Sequence, residues 1–290
     1  MPTQWVPTPS RYHARMLATA GGLILITAIF VGWWRSLKPS NDRDWRADVA
    51  RLATAVVAGE RVTVRNVRNF SYRTVDDFDE RWEERTYDLT RLNGLDVFFI
   101  DWGAPLVNHT ILSWSFDDGQ RLAISVEVRK RKGQAYSAWR AFFRTYELVY
   151  VAATEDDVIR LRTNARGEKV YLYRVRTSRA AARRLLLDYL EVMNAIAREP
   201  IWYNALFANC TTVVRDRVVH AGGKLPFSWR FFANAYLPEL LQRRGTIDSS
   251  RPFEELKAMS YINPRARAVR AGEDYSAKIR EGLPMPPLTS

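Results

Sequence analysis

The sequence predicts an α+β domain behind one N-terminal transmembrane helix. Three observations carry this. Residues 16–34 hold no charged side chain. Short runs of β-branched and aromatic residues recur between Arg61 and Val175, as strands require. The clearest helical periodicity comes only after them, over Ala180–Arg198. With 47% hydrophobic and 26% charged residues in a chain of 290, a packed core is expected and global disorder is not.

In chain order, residues 1–15 form a tail, 16–35 a transmembrane anchor, 36–59 a linker with a short helix, and 60–290 the main domain. The charge-free run is 19 residues, about 28 Å as a helix and near a hydrocarbon thickness. Trp33 and Trp34 suit a membrane interface. Trp-Trp-Arg follows the run where a cleavage site would need small residues, so the anchor is expected to stay uncleaved. Arg11 and Arg15 precede it; Arg35, Lys38, Arg43 and Arg46 follow. That count would leave the C-terminal side in the cytoplasm, but the rule weakens for long translocated domains. Charge alone leaves the orientation open.

A short helix is expected over Arg46–Val57 and extended chain over Arg61–Tyr72. Asp76–Arg85 reads as an exposed charged segment and Val97–Ile100 as a short strand. A hairpin follows. Leu112, Trp114 and Phe116 share one face of its first arm; Leu122, Ile124, Val126 and Val128 share one face of the second. Asp117-Asp-Gly119 is a turn signal. A three-residue turn pairs Phe116 with Gln120, keeps the apolar faces together, and sets His109 opposite Glu127 on the polar face. Beyond the hairpin, Ala135–Tyr146 and Glu155–Arg162 are expected as helices, and Leu148–Ala152 and Val170–Val175 as strands. Ser178 would cap the long helix and Pro200 stop it. Asn209 would cap a helix running from Cys210 to about His220, with Gly222-Gly223 ending it. Short helices are expected around Phe231, Phe253 and Ala266 before a Pro-rich tail.

Composition excludes several classes. One cysteine rules out an intramolecular disulfide and a cysteine-built zinc site. Three scattered histidines suggest no metal cluster, so neither metal nor cofactor is expected. The net charge is +12, and 37 of the 44 basic residues are Arg. They are spread along the chain among acids, with no nucleic-acid motif. Contact with anionic lipid fits this pattern better than nucleic acid.

A lone cysteine is more often a small buried hydrophobe than a catalyst. Cys210 has another reading. In the first turn of a helix, free N–H groups and the helix dipole stabilise a thiolate and could hold an oxyanion. His220 lies ten residues along the same helix, roughly 15 Å away, and His13 precedes the anchor. Only His109 remains to exchange protons with the thiol. Glu127 opposite it either orients the ring or is a surface acid paired with Arg129.

The order histidine, carboxylate, then cysteine at a helix start resembles circularly permuted papain-like folds of the lecithin:retinol acyltransferase type. Several stretches support a closer resemblance: Pro39-Ser-Asn-Asp-Arg-Asp-Trp45, Asn66-Val-Arg-Asn-Phe-Ser-Tyr72, His109-Thr-Ile-Leu-Ser113, Ser125-Val-Glu-Val-Arg129, Tyr203-Asn204 and Asn209-Cys-Thr-Thr212. From Ser40 to about Pro284 the chain resembles the periplasmic N-terminal domain of the Lnb family, linked to bacterial lipoprotein N-acyltransferases. The resemblance implies Cys210 and His109 as catalytic, with Glu127 behind them. It sets Asn209, Thr211, Ser113, Arg129 and Tyr203 as supporting or substrate-binding residues. It also implies a periplasmic domain on a single-pass inner-membrane anchor. Gln134 stands where the family would lead one to expect Glu.

The expected function is therefore a membrane-anchored cysteine acyltransferase. It would form a thioester on Cys210 and move an acyl chain from phospholipid to an amine such as a lipoprotein N-terminus. The alternatives are a cysteine peptidase or amidase acting on envelope peptides, and a non-catalytic envelope-binding module.

Overall fold

Apolar residues without charge make one long helix, α1 (Pro9–Ser36). Residues Tyr12–Ser36 are long and apolar enough to cross a membrane, and none of that apolar window is buried within the protein. Its two threonines return their hydroxyls to the helix backbone, Thr19 to the Arg15 carbonyl at 2.9 Å and Thr27 to Leu23 at 2.8 Å. A hydroxyl satisfied within its own helix is tolerable in hydrocarbon. The computed structural model describes residues 9–205, 210–223, 225–226, 228–286 and 288. It divides into two units, residues 1–39 and 40–290.

The second unit is built on a mixed sheet. Its strands are β1 (Thr54–Ala58), β2 (Arg61–Arg68), β5 (Trp82–Asp88), β6 (Leu92–Asp101), β7 (His109–Phe116), β8 (Arg121–Arg129), β9 (Glu147–Ala153) and β10 (Lys169–Arg174). The order is β1-β2-β9-β8-β7-β6-β10, with β5 also on β2. Neighbours are antiparallel except β2 and β9. A small ribbon pairs β3 (Ser71–Tyr72) with β4 (Phe78–Asp79). The β7–β8 hairpin has the expected register: Ile111 faces Ser125 and Leu112 faces Ile124. Phe116 and Gln120 close it (3.1 Å), and Gly119 takes φ +85° in the turn.

Period two sends alternate residues to two cores. Leu112, Trp114 and Phe116, with Leu122, Ile124 and Val126, pack under α3 (Arg179–Arg198), α4 (Cys210–His220) and α5 (Leu237–Arg243). Ser178 caps α3 by accepting from the Ala181 N–H at 3.1 Å. Leu186, Leu190 and Met193 face this core as the periodicity predicts, and Ile196 rather than Ala197 completes the stripe. Ile111, Ala123, Val149 and Val151 pack on the opposite face against α2 (Glu155–Arg160), α7 (Asn263–Ala268) and α8 (Tyr275–Lys278). Leu256 of α6 (Phe253–Ser260) joins the first core.

Several expectations change. The helix expected over Arg46–Val57 is one 3₁₀ turn, Ala47–Val49, followed by β1. The charged run before Arg85 opens into β5, whose inward Tyr87 is fully buried. Ala135–Tyr146 forms only a 3₁₀ turn at Arg140–Phe142; of its aromatics only Tyr146 is buried, while Tyr136, Trp139, Phe142 and Phe143 stay exposed instead of making a buried stripe. Glu155–Arg162 ends as an α-helix at Arg160 and continues as a π-turn over Leu161–Ala165.

The hairpin face read as polar is itself largely buried, and most of its polar groups have partners, Ser115 Oγ being an exception. Ser113 donates to Glu155 at 2.6 Å. Arg280 bridges Glu155 (2.6 Å) and Asp96 (2.7 Å), and Arg174 also pairs with Asp96. Gly94 permits this close packing: a Cβ there would meet Arg174 Nη1 at 2.1 Å. Burial alone would raise the Glu155 pKa, yet Arg280 and the Ser113 hydroxyl bring it from 4.5 to about 2. The carboxylate thus contributes stability above its unfolded pKa, and loses it as pH falls toward the folded value. Replacing Arg280 with Ala leaves two buried carboxylates short of a cation. The expected loss is about 3–5 kcal/mol of stability, measured as a lower denaturant midpoint. An unchanged midpoint would show that the cluster does not hold the sheet to its covering helices.

Candidate active site

The start of β7 and the start of α4 meet at one end of the sheet. β7 carries His109 as its first residue, and α4 carries Cys210 as its first. Cys210 Sγ lies 4.0 Å from the Asn108 carbonyl and 3.8 Å from the Thr211 hydroxyl. The His109 imidazole and the Cys210 thiol lie close enough that each shifts the other's pKa. Cys210 is 8% exposed, so it combines the burial of a structural thiol with a polar partner that a structural thiol does not need. The proposed cap at Asn209 lies outside the described residues.

The register puts Glu127 beside His109. Nε2 of His109 is 2.8 Å from Ser125 Oγ and 3.1 Å from Glu127 Oε1, and Ser125 donates to the same carboxylate oxygen at 2.8 Å. With Nε2 so engaged, Nδ1 is the nitrogen left for the thiol. Glu127 does not pair with Arg129. It pairs with Arg162, at 2.8 Å, on the π-turn after α2. The extra residue of a π-turn re-aims side chains, and such turns recur at functional sites.

The charges follow from these neighbours. Burial opposes the ionised form of all three groups. At Glu127 the charges of His109 and Arg162, with hydrogen bonds from His109 and Ser125, outweigh it and hold the carboxylate well below its ordinary range. At His109, burial lowers the pKa, but Glu127 and Cys210 raise it to about 9. At Cys210, burial pushes the thiol up. The His109 charge and hydrogen bond, the Thr110 backbone and the Thr211 hydroxyl bring it below its ordinary value. Each group of the pair thus favours the charged form of the other, thiolate beside imidazolium.

These groups open into a cleft of about 240 Å³, with Tyr136 and Tyr203 among its walls. Burial, and then the charge of Cys210, push the Tyr203 hydroxyl up. Four cations, Arg68, Lys130, Arg162 and Arg166, line the cleft with three acids, Asp48, Glu127 and Glu168. Burial, and then neighbouring arginines, depress the pKa of both Lys130 and Arg166. Among the described residues no cluster of His, Cys, Asp and Glu could hold a metal ion.

Of the supporting residues expected from sequence, Tyr203 and Thr211 lie at this site. Two others do not. Ser113 is part of the buried cluster with Glu155. Arg129 is buried away from the cleft, donating to the Val49 carbonyl at 3.0 Å and the Ala50 carbonyl at 2.8 Å, with its guanidinium 4.3 Å over the Trp45 ring. Both lie on strands that carry site residues, but their side chains serve the fold. Sequence reasoning missed Ser125 as a bridge, Arg162 and Asn234. Asn234 donates to the Asn108 carbonyl (2.6 Å) and the Thr211 hydroxyl, and accepts from the Asn108 N–H. It thereby ties the start of α4 to the start of β7. A signal for Ser125 was available in its position two residues from Glu127 on one strand face. Asn234 opens a short 3₁₀ turn, Asn234–Tyr236, and gave none.

The family described as the Lnb N-terminal periplasmic domain matches residues 78–235, which is 158 of the 290 residues and includes His109, Glu127, Cys210 and Asn234. No curated protein and no solved structure matches the chain. The family is linked to lipoprotein-modifying acyltransferases. Its periplasmic description, together with the single apolar helix, supports a single-pass inner-membrane arrangement, against the orientation that counting positive charges would give. The mixed sheet behind that helix is consistent with a permuted papain-like fold. The chain belongs to the Lnb N-terminal periplasmic domain family.

Proposed function

We propose that this protein is a membrane-anchored cysteine acyltransferase. It takes an acyl chain from a phospholipid as a thioester on Cys210 and passes it to an amine such as a lipoprotein N-terminus. One observation carries the reading: a thiol at a helix start lies beside an imidazole whose Nε2 is held by a half-buried, ionised carboxylate. A structural cysteine has no use for such an arrangement, whereas nucleophilic catalysis requires it. The chain order, His109 on a strand before Cys210 on a helix, further supports a permuted papain-like catalyst.

In this mechanism the Cys210 thiolate attacks the ester carbonyl carbon. The oxyanion that forms is received by N–H groups of the first turn of α4. The C–O bond to glycerol then breaks, and the leaving alkoxide takes its proton from the His109 imidazolium. The products are acyl-Cys210 and lysophospholipid. An amine next attacks the thioester, neutral His109 takes its proton, and the amide leaves with the thiolate restored. Glu127 keeps the ring oriented and stabilises the imidazolium in both halves. Arg162 and Ser125 in turn keep Glu127 in place.

Two further features support a lipid donor. Lys130 and Arg166 give the cleft positive charge suited to a phosphodiester headgroup. Exposed aromatics stand on segments beside the cleft, with Trp102 40%, Tyr136 42% and Trp139 71% exposed. Such rings suit a membrane–water interface.

Incubation of the full chain with acyl-labelled phospholipid should give a hydroxylamine-sensitive label on the protein. In the Cys210→Ala variant the label should be absent; label that survives this change would sink the thioester. Release of free fatty acid without amide formation, when an amine acceptor is supplied, would instead make the protein a hydrolase. Glu127→Gln removes the charge that raises the His109 pKa. The expected result is a thioester formation rate lower by about 10²-fold, with the alkaline limb of the pH profile, where the His109 imidazolium is lost, displaced to lower pH. An unchanged rate and profile would remove Glu127 from the mechanism.

A further inference from the structure

A second cavity, of about 260 Å³, lies on the other side of the Thr110–Thr211 pair from the cleft. Among the described residues its walls are mostly apolar. β6 and β7 give Val97, Phe99 and Leu112; α3 gives Leu185; α4 gives Val214 and Val218. Close packing leaves few voids larger than a water molecule in a folded core. An apolar cavity of about 150 Å³ already takes up benzene in place of water, and this one is larger.

Its position bears on the chemistry. Thr110 and Thr211 line it, and their hydroxyls stand 3.4 Å apart. The Thr211 hydroxyl is also 3.8 Å from Cys210 Sγ. The thiol therefore sits between a polar, cation-rich cleft and an apolar cavity. An acyl phospholipid divides in the same way at its ester, with a charged headgroup on one side and a hydrocarbon chain on the other.

Resting on the acyltransferase reading above, we propose that this cavity is the acyl-chain pocket of the Cys210 thioester. The hydrocarbon runs between the sheet and α4, past Thr110 and Thr211, while the carbonyl stays in the cleft. The polar atoms at its entrance face the ester end of the chain, and the walls beyond suit unbranched methylenes. Narrowing those walls should change which chain length is accepted.

The test uses the full chain in detergent with acetyl, octanoyl and palmitoyl nitrophenyl esters, reading thioester formation on Cys210 by intact mass. The unchanged protein should favour octanoyl over acetyl by at least about tenfold. Val218→Phe and Leu241→Phe should each reduce that ratio by about tenfold or more, with thermal melting confirming that the variants are folded. Equal rates for all three esters, or a ratio unmoved in folded variants, would overturn the pocket. A second measurement does not depend on the chemistry. A diazirine-bearing fatty acid is crosslinked to the Cys210→Ala protein and the labelled residues are mapped. Labels on Val214, Val218 or Leu241 support the pocket even if no thioester ever forms, in which case only the acyltransferase reading fails. Labels confined to α1 or to the exterior overturn the pocket, even where an acetyl thioester is made.

Discussion

A carboxylate that is only partly open to solvent stays ionised when cations and donors surround it, and Glu127 is held in that way. Arg162, Ser125 and His109 all converge on one of its oxygens. The rest of the site depends on this point. An ionised Glu127 raises the His109 pKa, and a protonated His109 lowers that of Cys210, which favours the thiolate. The strength of the pair comes from the arrangement rather than from any one contact. Burial opposes each charge singly and strengthens the attraction between them.

The fold serves this arrangement through two junctions. The first is the β7–β8 register, which sets His109, Ser125 and Glu127 on one face. A slip by one residue would turn all three toward the other core. The second is the meeting of α4 with β7, tied by Asn234 to both Asn108 and Thr211. The sheet can hold charged residues on a buried face because those charges have partners there, from Glu155 with Ser113 at one end to Arg129 at the other. Buried ionic clusters of this kind are costly to break, which makes the face rigid beneath the site.

Much of the site was legible in the sequence because it rests on local rules. Turn length and period two were enough to place His109 opposite Glu127, and a helix start at Cys210 followed from the pattern around it. What remained hidden depends on contacts distant in sequence. Arg162 reaches Glu127 only through a π-turn, which no periodicity signals. Asn234 acts from a short 3₁₀ turn 126 residues beyond Asn108. Arg129 and Ser113 share strands with site residues, and only packing separates the side chains that face the cleft from those that hold the sheet. The helices expected at Arg46–Val57 and Ala135–Tyr146 failed for a related reason. Local propensity favoured them, while pairing of Thr54–Ala58 with β2 and the exposure of the aromatic segment decided otherwise.

The account stands most directly on the ionic state of Cys210. Thiolate absorbance, followed as pH is lowered in the full chain and in a His109→Ala variant, measures it. The account predicts that the thiolate of the unchanged protein persists below the ordinary thiol pKa of about 8.5, and that the variant titrates at or above that value. A single transition near the ordinary value, the same with and without His109, would contradict it.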